Sequence, residues 1–294
     1  MQLGFSTWCF HKQLGDASMS ILDVIDWIAA SEGTHMEIAT VAFAADNGGD
    51  DAPLDQNPEL VAAIKKHAAD KGVTLSGMCI GAQFLDLDPQ AYTAEMERVK
   101  RHVDVCVELG ISYLRHDVAP WGKHATDQAE FEACLPILAS ASKEIAKYAS
   151  QYGITTSVEN HGMFMNGSER IRRLIYLVDE PNFKTTLDIG NFMCVDEDAY
   201  AATIQNLPLA SVVQLKDFFV RDFEPGPGWL ATPGGHWLLG AIVGHGDLDI
   251  RRILGAVKAS GYDGFLSIEF EGLEDSALGA AISAANINRI LSSV

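Results

Sequence analysis

The chain has 294 residues, 48% of them apolar, with 21 Lys and Arg against 40 Asp and Glu and a formal net charge of −19. That apolar share supports a continuous core and excludes a disordered chain, and the acidic balance argues against nucleic acid or an anionic membrane as partner. No basic-then-apolar leader opens the sequence and no run of 18 apolar residues occurs, so neither a secretory signal nor a membrane span is expected.

In chain order, short β-prone runs alternate with longer amphipathic stretches. Strands are predicted at 3–7, 35–39, 73–79, 112–116, 154–159, 183–188, 211–216 and 264–270. Helices are predicted at 21–31, 59–71, 92–109, 131–152, 168–178, 199–207, 249–260 and 276–291. Gly110, Gly153 and Gly261 supply stop signals after three of them. Eight strands alternating with eight helices fit either an open doubly wound sheet or a closed barrel. No GxGxxG or GxxxxGK[ST] follows an early strand, which weakens the first. Polar and charged residues gather at the strands' C-terminal ends, the rim where barrels carry their chemistry. The prediction is therefore an α/β fold, a (β/α)8 TIM barrel spanning 1–294 as one domain. The connection 217–249 is too long for an ordinary loop and is a candidate lid or oligomer contact. Cys9, Cys79, Cys106, Cys134 and Cys194 lack CxxC spacing and read as reduced, mostly buried thiols of a cytoplasmic protein.

Four strand ends carry the functional signal. They read Val158-Glu159-Asn160-His161-Gly162, Leu187-Asp188-Ile189-Gly190-Asn191, Gln214-Leu215-Lys216-Asp217 and Ser267-Ile268-Glu269-Phe270-Glu271. In a closed barrel these four strands lie side by side, so Glu159, Asp188, Gln214 and Glu269 converge on one point. Three carboxylates brought together repel one another, and a divalent cation resolves that. Three carboxylates and an amide oxygen form an all-oxygen donor set suited to one Mg²⁺ or Mn²⁺. Glu271 is the inward residue instead of Glu269 if the register differs by one pleat. His161 either lines the pocket or bonds to backbone at the strand exit. Lys216 alternates with Gln214 and faces inward, to meet substrate oxygens or to neutralise a carboxylate. Glu37 and His116 are rim candidates for ordinary hydrogen bonding, and Trp8, Phe10 and Trp121 either wall the pocket or pack at the rim.

The four motifs, in this order and with Gly244-His245-Gly246-Asp247-Leu248-Asp249 before the last strand, resemble the xylose isomerase-like TIM-barrel superfamily of sugar isomerases and epimerases. The resemblance spans nearly the whole chain. It implies metal ligands at Glu159, Asp188, Gln214 and Glu269, with Gln214 in place of the commoner His. It also implies that Glu159 and Glu269 are catalytic, moving a proton beside a carbonyl while the cation stabilises the enediolate. Asn191 stands where related epimerases often hold a substrate hydroxyl with His, and Arg221 lies close to a position often taken by a substrate-binding Arg. With His161 and Lys216 these make the expected substrate contacts. A small carbohydrate is the expected partner, homo-oligomers occur among related barrels, and a dehydratase on the same site or a non-catalytic binding barrel are the alternatives. Phosphodiester cleavage would need further metals, more His ligands and a basic face.

Overall fold

Apolar strand runs that can be buried on both faces, each followed by a helix with one apolar stripe, fold here into a barrel. The computed structural model describes residues 1–40, 53–123 and 128–294. Seven strands come first: β1 (Gln2–Ser6), β2 (His35–Ala39), β3 (Thr74–Ile80), β4 (Tyr113–His116), β5 (Thr155–Glu159), β6 (Phe183–Asp188) and β7 (Ala210–Leu215). Three short ones follow, β8 (Asp217–Arg221), β9 (Leu230–Ala231) and β10 (Trp237–Ala241), before β11 (Phe265–Ile268). β1 to β7 and β11 pair in parallel as a closed barrel, with β11 between β7 and β1. Two pairings skip a residue: Glu37 aligns with Gly77, passing over Ser76, and Thr186 aligns with Val212, passing over Ser211.

The helices start and stop where local chemistry dictates. Ser20 and Asp23 form a reciprocal capping box for α2 (Ile21–Ala29), after the short α1 (His11–Gly15). Asn57 and Asp88 cap α3 (Pro58–Lys71) and α4 (Pro89–Leu109), and each helix takes Pro in its first turn. Both end on a left-handed glycine, Gly72 at φ 71° and Gly110 at φ 77°. α5 (Gln128–Ser150), α6 (Ser168–Val178), α7 (Ala199–Asn206), α8 (Ile250–Ala259) and α9 (Ser276–Leu291) complete the outer layer among the described residues. No described helix is long and apolar enough to cross a membrane. The five cysteines are free thiols, and all but Cys134 are buried.

The connection 217–249, expected as an outsized loop, instead carries a three-stranded antiparallel sheet with β10 in the middle. The buried Asp217 carboxylate clamps it. Its Oδ2 accepts the N–H groups of Gly244 and Gly246 at 2.9 Å, and its Oδ1 accepts those of Phe218 at 2.9 Å and Leu248 at 3.3 Å. Beneath the sheet, Phe218 and Leu238 pack with Met163 and Cys194 in an apolar cluster of their own. Asp196 holds the far side, accepting from Thr232 Oγ1 at 2.5 Å and pairing with His236 Nδ1 at 2.7 Å. Asp217→Ala removes the acceptor of one buried and three part-buried N–H groups and is expected to cost about 1–3 kcal/mol, read as a lower urea midpoint with faster amide exchange at Gly244 and Gly246. An unchanged midpoint would show that the clamp is dispensable.

Candidate metal centre

Glu159 and Asp188 are the last residues of β5 and β6, Gln214 lies one residue inside the end of β7, and Glu269 directly follows β11. Asp188 pairs in register with Gln214, while Glu159 aligns with Thr186 and Gln214 with Ser267, so the four ends are staggered by pairing and meet through their side chains. One ligand atom each of Glu159, Asp188 and Glu269 lies within 4.8 Å of the others, and all three residues are buried. Asn160 ties two of these strands together. Its Nδ2 donates to the Asp188 carbonyl at 2.8 Å, and its Oδ1 accepts from the Asp188 N–H at 3.1 Å. Asp188 Oδ1 in turn accepts the N–H groups of Gly190 at 2.7 Å and Asn191 at 3.0 Å, which aims Oδ2 elsewhere. A Cβ on Gly190 would stand 2.9 Å from the Lys216 backbone oxygen, so only glycine lets the β6 exit press against β7.

Two buried cations balance this charge. Lys216 Nζ lies 2.7 Å from Glu269 Oε2, 3.1 Å from Glu271 Oε1 and 3.3 Å from Asp188 Oδ2. Arg115, on β4, lies 2.9 Å from Glu159 Oε2 and 2.7 Å from Asp117 Oδ1. Burial nonetheless dominates two of the acids. It pushes Glu159 up to about 8, with Glu269 and Asp188 adding to the rise against Arg115 and His161. It pushes Asp188 up to about 6 against Lys216. Glu271 is half-buried, but Lys216 and Trp8 outweigh the desolvation and hold it below the ordinary carboxylate value. Burial would lower Lys216, and the surrounding carboxylates overcome it and keep the ammonium charged.

The donor set fits a cation. Gln214 Oε1 is buried without a hydrogen-bond partner, an arrangement that costs stability unless something positive meets it, and Asp188 Oδ2 faces Lys216 Nζ at 3.3 Å without a hydrogen bond of its own. Gln214 Nε2 donates to Glu37 Oε2 at 3.1 Å and more distantly to Glu269 Oε1 at 3.5 Å, which leaves the carbonyl end of the amide as its open ligand atom. With Glu159 and Glu269 this offers four oxygens and no imidazole or thiolate, the chemistry of a hard ion.

Above the cluster a cavity of about 970 Å³ opens, lined among others by Trp8, Trp121, His161, Asn191, Lys216 and Glu271. Asn191 donates to Glu159 Oε1 at 2.8 Å and accepts from Lys216 at 3.2 Å. His161 Nδ1 pairs with Asp117 at 3.2 Å, and that carboxylate outweighs burial to raise the imidazole above its ordinary value. The mouth thus brings together the four expected ligands and three of the four expected substrate contacts. Arg221 is not among them. It is half exposed at the end of β8, 3.2 Å from Asp247 and over the Trp229 ring, because the unexpected sheet carries it away from the mouth. Phe10, expected near the pocket, is fully covered and packs edge-on against Trp27. Glu269 and Glu271 both face the site, one pleat apart.

Sequence reasoning missed Arg115 and Asp117. It singled out His116, which the pleat turns the other way, toward Phe84 and Phe183. A basic residue one position before the end of a strand, in a barrel with three acidic strand ends, was the available signal.

A family model described as Xylose isomerase-like TIM barrel matches residues 25–289. The chain belongs to the xylose isomerase-like TIM barrel family. Solved structures give the same fold at low identity. A D-allulose 3-epimerase from Methylomonas sp. superposes with TM-score 0.71 at 16% identity, covering 99% of this chain and 98% of that one. A probable 3-DHS dehydratase involved in petrobactin synthesis from Bacillus anthracis gives 0.70 at 17%, covering 98% of each. The IOLI protein with a bound zinc atom gives 0.72 at 15%, covering 100% and 99%. No curated protein matches. At these identities the xylose isomerase-like structures speak for the fold alone.

The titration of the centre gives a direct test. Glu159 and Asp188 rise from ordinary values of 4.5 and 3.8 to about 8 and about 6, so between those limits the folded metal-free chain holds more protons than the unfolded one. Stability contributed by these groups is therefore present at low pH and is lost as pH rises toward about 8. Calorimetry of metal-free protein is expected to show a fall in Tm across this window that flattens in Glu159→Gln/Asp188→Asn. Equal slopes in the two proteins would contradict the assignment.

Proposed function

We propose that this chain is a metal-dependent isomerase or epimerase that moves a proton beside the carbonyl of a sugar or related hydroxy-carbonyl compound. The observation that carries the reading is the meeting of three buried carboxylates within 4.8 Å of one another at the barrel mouth, with the buried Gln214 Oε1 left without a hydrogen-bond partner. Glu159, Asp188, Gln214 and Glu269 would hold one Mg²⁺ or Mn²⁺. When bound, such an ion polarises a carbonyl and stabilises the negative charge that builds as the neighbouring C–H is lost.

The chain's own groups do the rest. A general base works within about 3 Å of its proton, and Glu159 and Glu269, at the exits of β5 and β11, are the two carboxylates that would act on a substrate bound between them. One takes the proton and the other returns it. Arg115 and Asn191 hold both oxygens of Glu159 in place. Lys216, Asn191 and His161 line the cavity, where they hydrogen-bond substrate hydroxyls. Similarity to a D-allulose 3-epimerase supports a small carbohydrate as substrate.

The paired His161 and Asp117 favour one second reading. An imidazolium facing the cavity could donate a proton to a departing hydroxyl, which would leave as water and make the enzyme a dehydratase, as the probable 3-DHS dehydratase also suggests.

The test is incubation with Mn²⁺ and a panel of ketoses, sugar acids and inososes in D₂O, followed by NMR. Deuterium should enter the carbon beside a carbonyl, and Glu159→Gln and Glu269→Gln should each lower the rate by at least about 10²-fold. Loss of water from the product would select the dehydratase. No exchange with any compound in the panel, with metal bound, would count against proton transfer.

A further inference from the structure

We infer that Glu37 is a positioning residue that sets which end of the Gln214 side-chain amide faces the carboxylate cluster. The inference rests on the metal reading above and deepens it. An amide has an accepting end and a donating end of nearly equal size, and only the oxygen end can bind a cation. The other three proposed ligands are carboxylates, whose two ends are both oxygen. Gln214 is therefore the one ligand of the four that can be present, folded and facing the wrong way.

Its neighbours must make the choice. Gln214 is fully buried, so water does not help to decide. Gln214 Nε2 donates to Glu269 Oε1 at 3.5 Å as well as to Glu37, and turned end for end the amide would offer its NH₂ to the cluster's other carboxylates in the absence of a cation. That orientation would satisfy them internally and close the site. Glu37 competes for the same NH₂ from across the barrel interior, accepting it at 3.1 Å and leaving Gln214 Oε1 open. The reverse orientation would set the amide oxygen against a carboxylate oxygen.

Glu37 is itself firmly placed. It is 1% exposed, and its other oxygen accepts from Cys79 Sγ at 3.4 Å. The register step in which β3 passes over Ser76 occurs at this residue, bringing Glu37 level with Gly77. Such irregularities often aim a side chain beside a site. Partners that orient metal ligands without touching the ion typically change affinity by about 10–100-fold.

Isothermal titration with Mn²⁺ tests this on the full chain, using wild type, Glu37→Gln, Gln214→Glu and the exchanged pair Glu37→Gln/Gln214→Glu. Glu37→Gln can meet either end of Gln214, so affinity should fall by about tenfold or more. In the exchanged pair the new amide donates to one oxygen of the new carboxylate and leaves the other for the ion, so affinity should return to within about threefold of wild type. Because a carboxylate at 214 has no wrong end, the rescue supports positioning only if Gln214→Glu beside an unchanged Glu37 binds Mn²⁺ more weakly than the exchanged pair. Wild-type affinity in Glu37→Gln, or no recovery in the exchanged pair, overturns the inference while leaving the metal reading intact. No Mn²⁺ binding by wild type overturns both. Should Glu37→Gln fail to fold, NMR of wild type with Mg²⁺ decides. Contact between the Gln214 NH₂ protons and the Glu37 side chain should persist, and its loss on Mg²⁺ addition would overturn the inference.

Discussion

The mouth of this barrel is organised around negative charge removed from water. Glu159, Asp188 and Glu269 are buried together, with Glu37 below and Glu271 beside them, and such a group survives only if positive charge is supplied. Lys216 and Arg115 supply it from two sides. Their two positive charges do not cancel the burial cost, as the raised values of Glu159 and Asp188 show. The unpartnered Gln214 Oε1 marks where further positive charge fits. Lys216 already touches the carboxylates that a cation would take. Loading the site therefore requires it to share Asp188 and Glu269 or to withdraw toward Glu271 and the cavity.

Strand alternation lets two neighbours at one β7 exit do separate jobs. Lys216 turns into the cluster, while Asp217 turns out and gathers four backbone N–H groups of the inserted sheet. The charged site and the cover beside it are thus fixed to the same backbone. Gly240 on β10 approaches so closely that a Cβ there would lie 2.5 Å from the Glu271 backbone oxygen, which seats the sheet against the exit of β11. The inserted sheet brings Phe218, Leu230 and Leu238 to the cavity wall, giving an apolar side opposite a polar floor.

The barrel was legible in the sequence because short β-prone runs alternate with amphipathic stretches, and helices such as α3 and α4 carry cap signals at Asn57-Pro58 and Asp88-Pro89. The proposed ligands were legible as well, because Glu159, Asp188 and Glu269 each stand at or near the end of such a run. The inserted sheet was not. β8 follows β7 with only Lys216 between, β9 has two residues, and the Pro- and Gly-rich stretch from Glu224 to Trp229 reads as loop. The expectation for Arg221 failed with it, since strand pairing fixes its direction and spacing from Gln214 does not. Arg115 was hidden by pleat parity on a four-residue strand, where one step exchanges barrel interior for helix layer. Glu37 was visible as a rim residue, but its tie to Gln214 spans 177 positions and exists only once the barrel closes.

The central claim is that this charge is arranged to hold a divalent cation. The most direct measurement is an anomalous difference map from crystals soaked in Mn²⁺. The account predicts one strong peak bounded by Glu159, Asp188, Gln214 Oε1 and Glu269, with Lys216 Nζ displaced from Asp188. An empty map at saturating Mn²⁺, with Lys216 still bridging Asp188 and Glu269, would contradict it and leave the cluster a closed network of internal ion pairs.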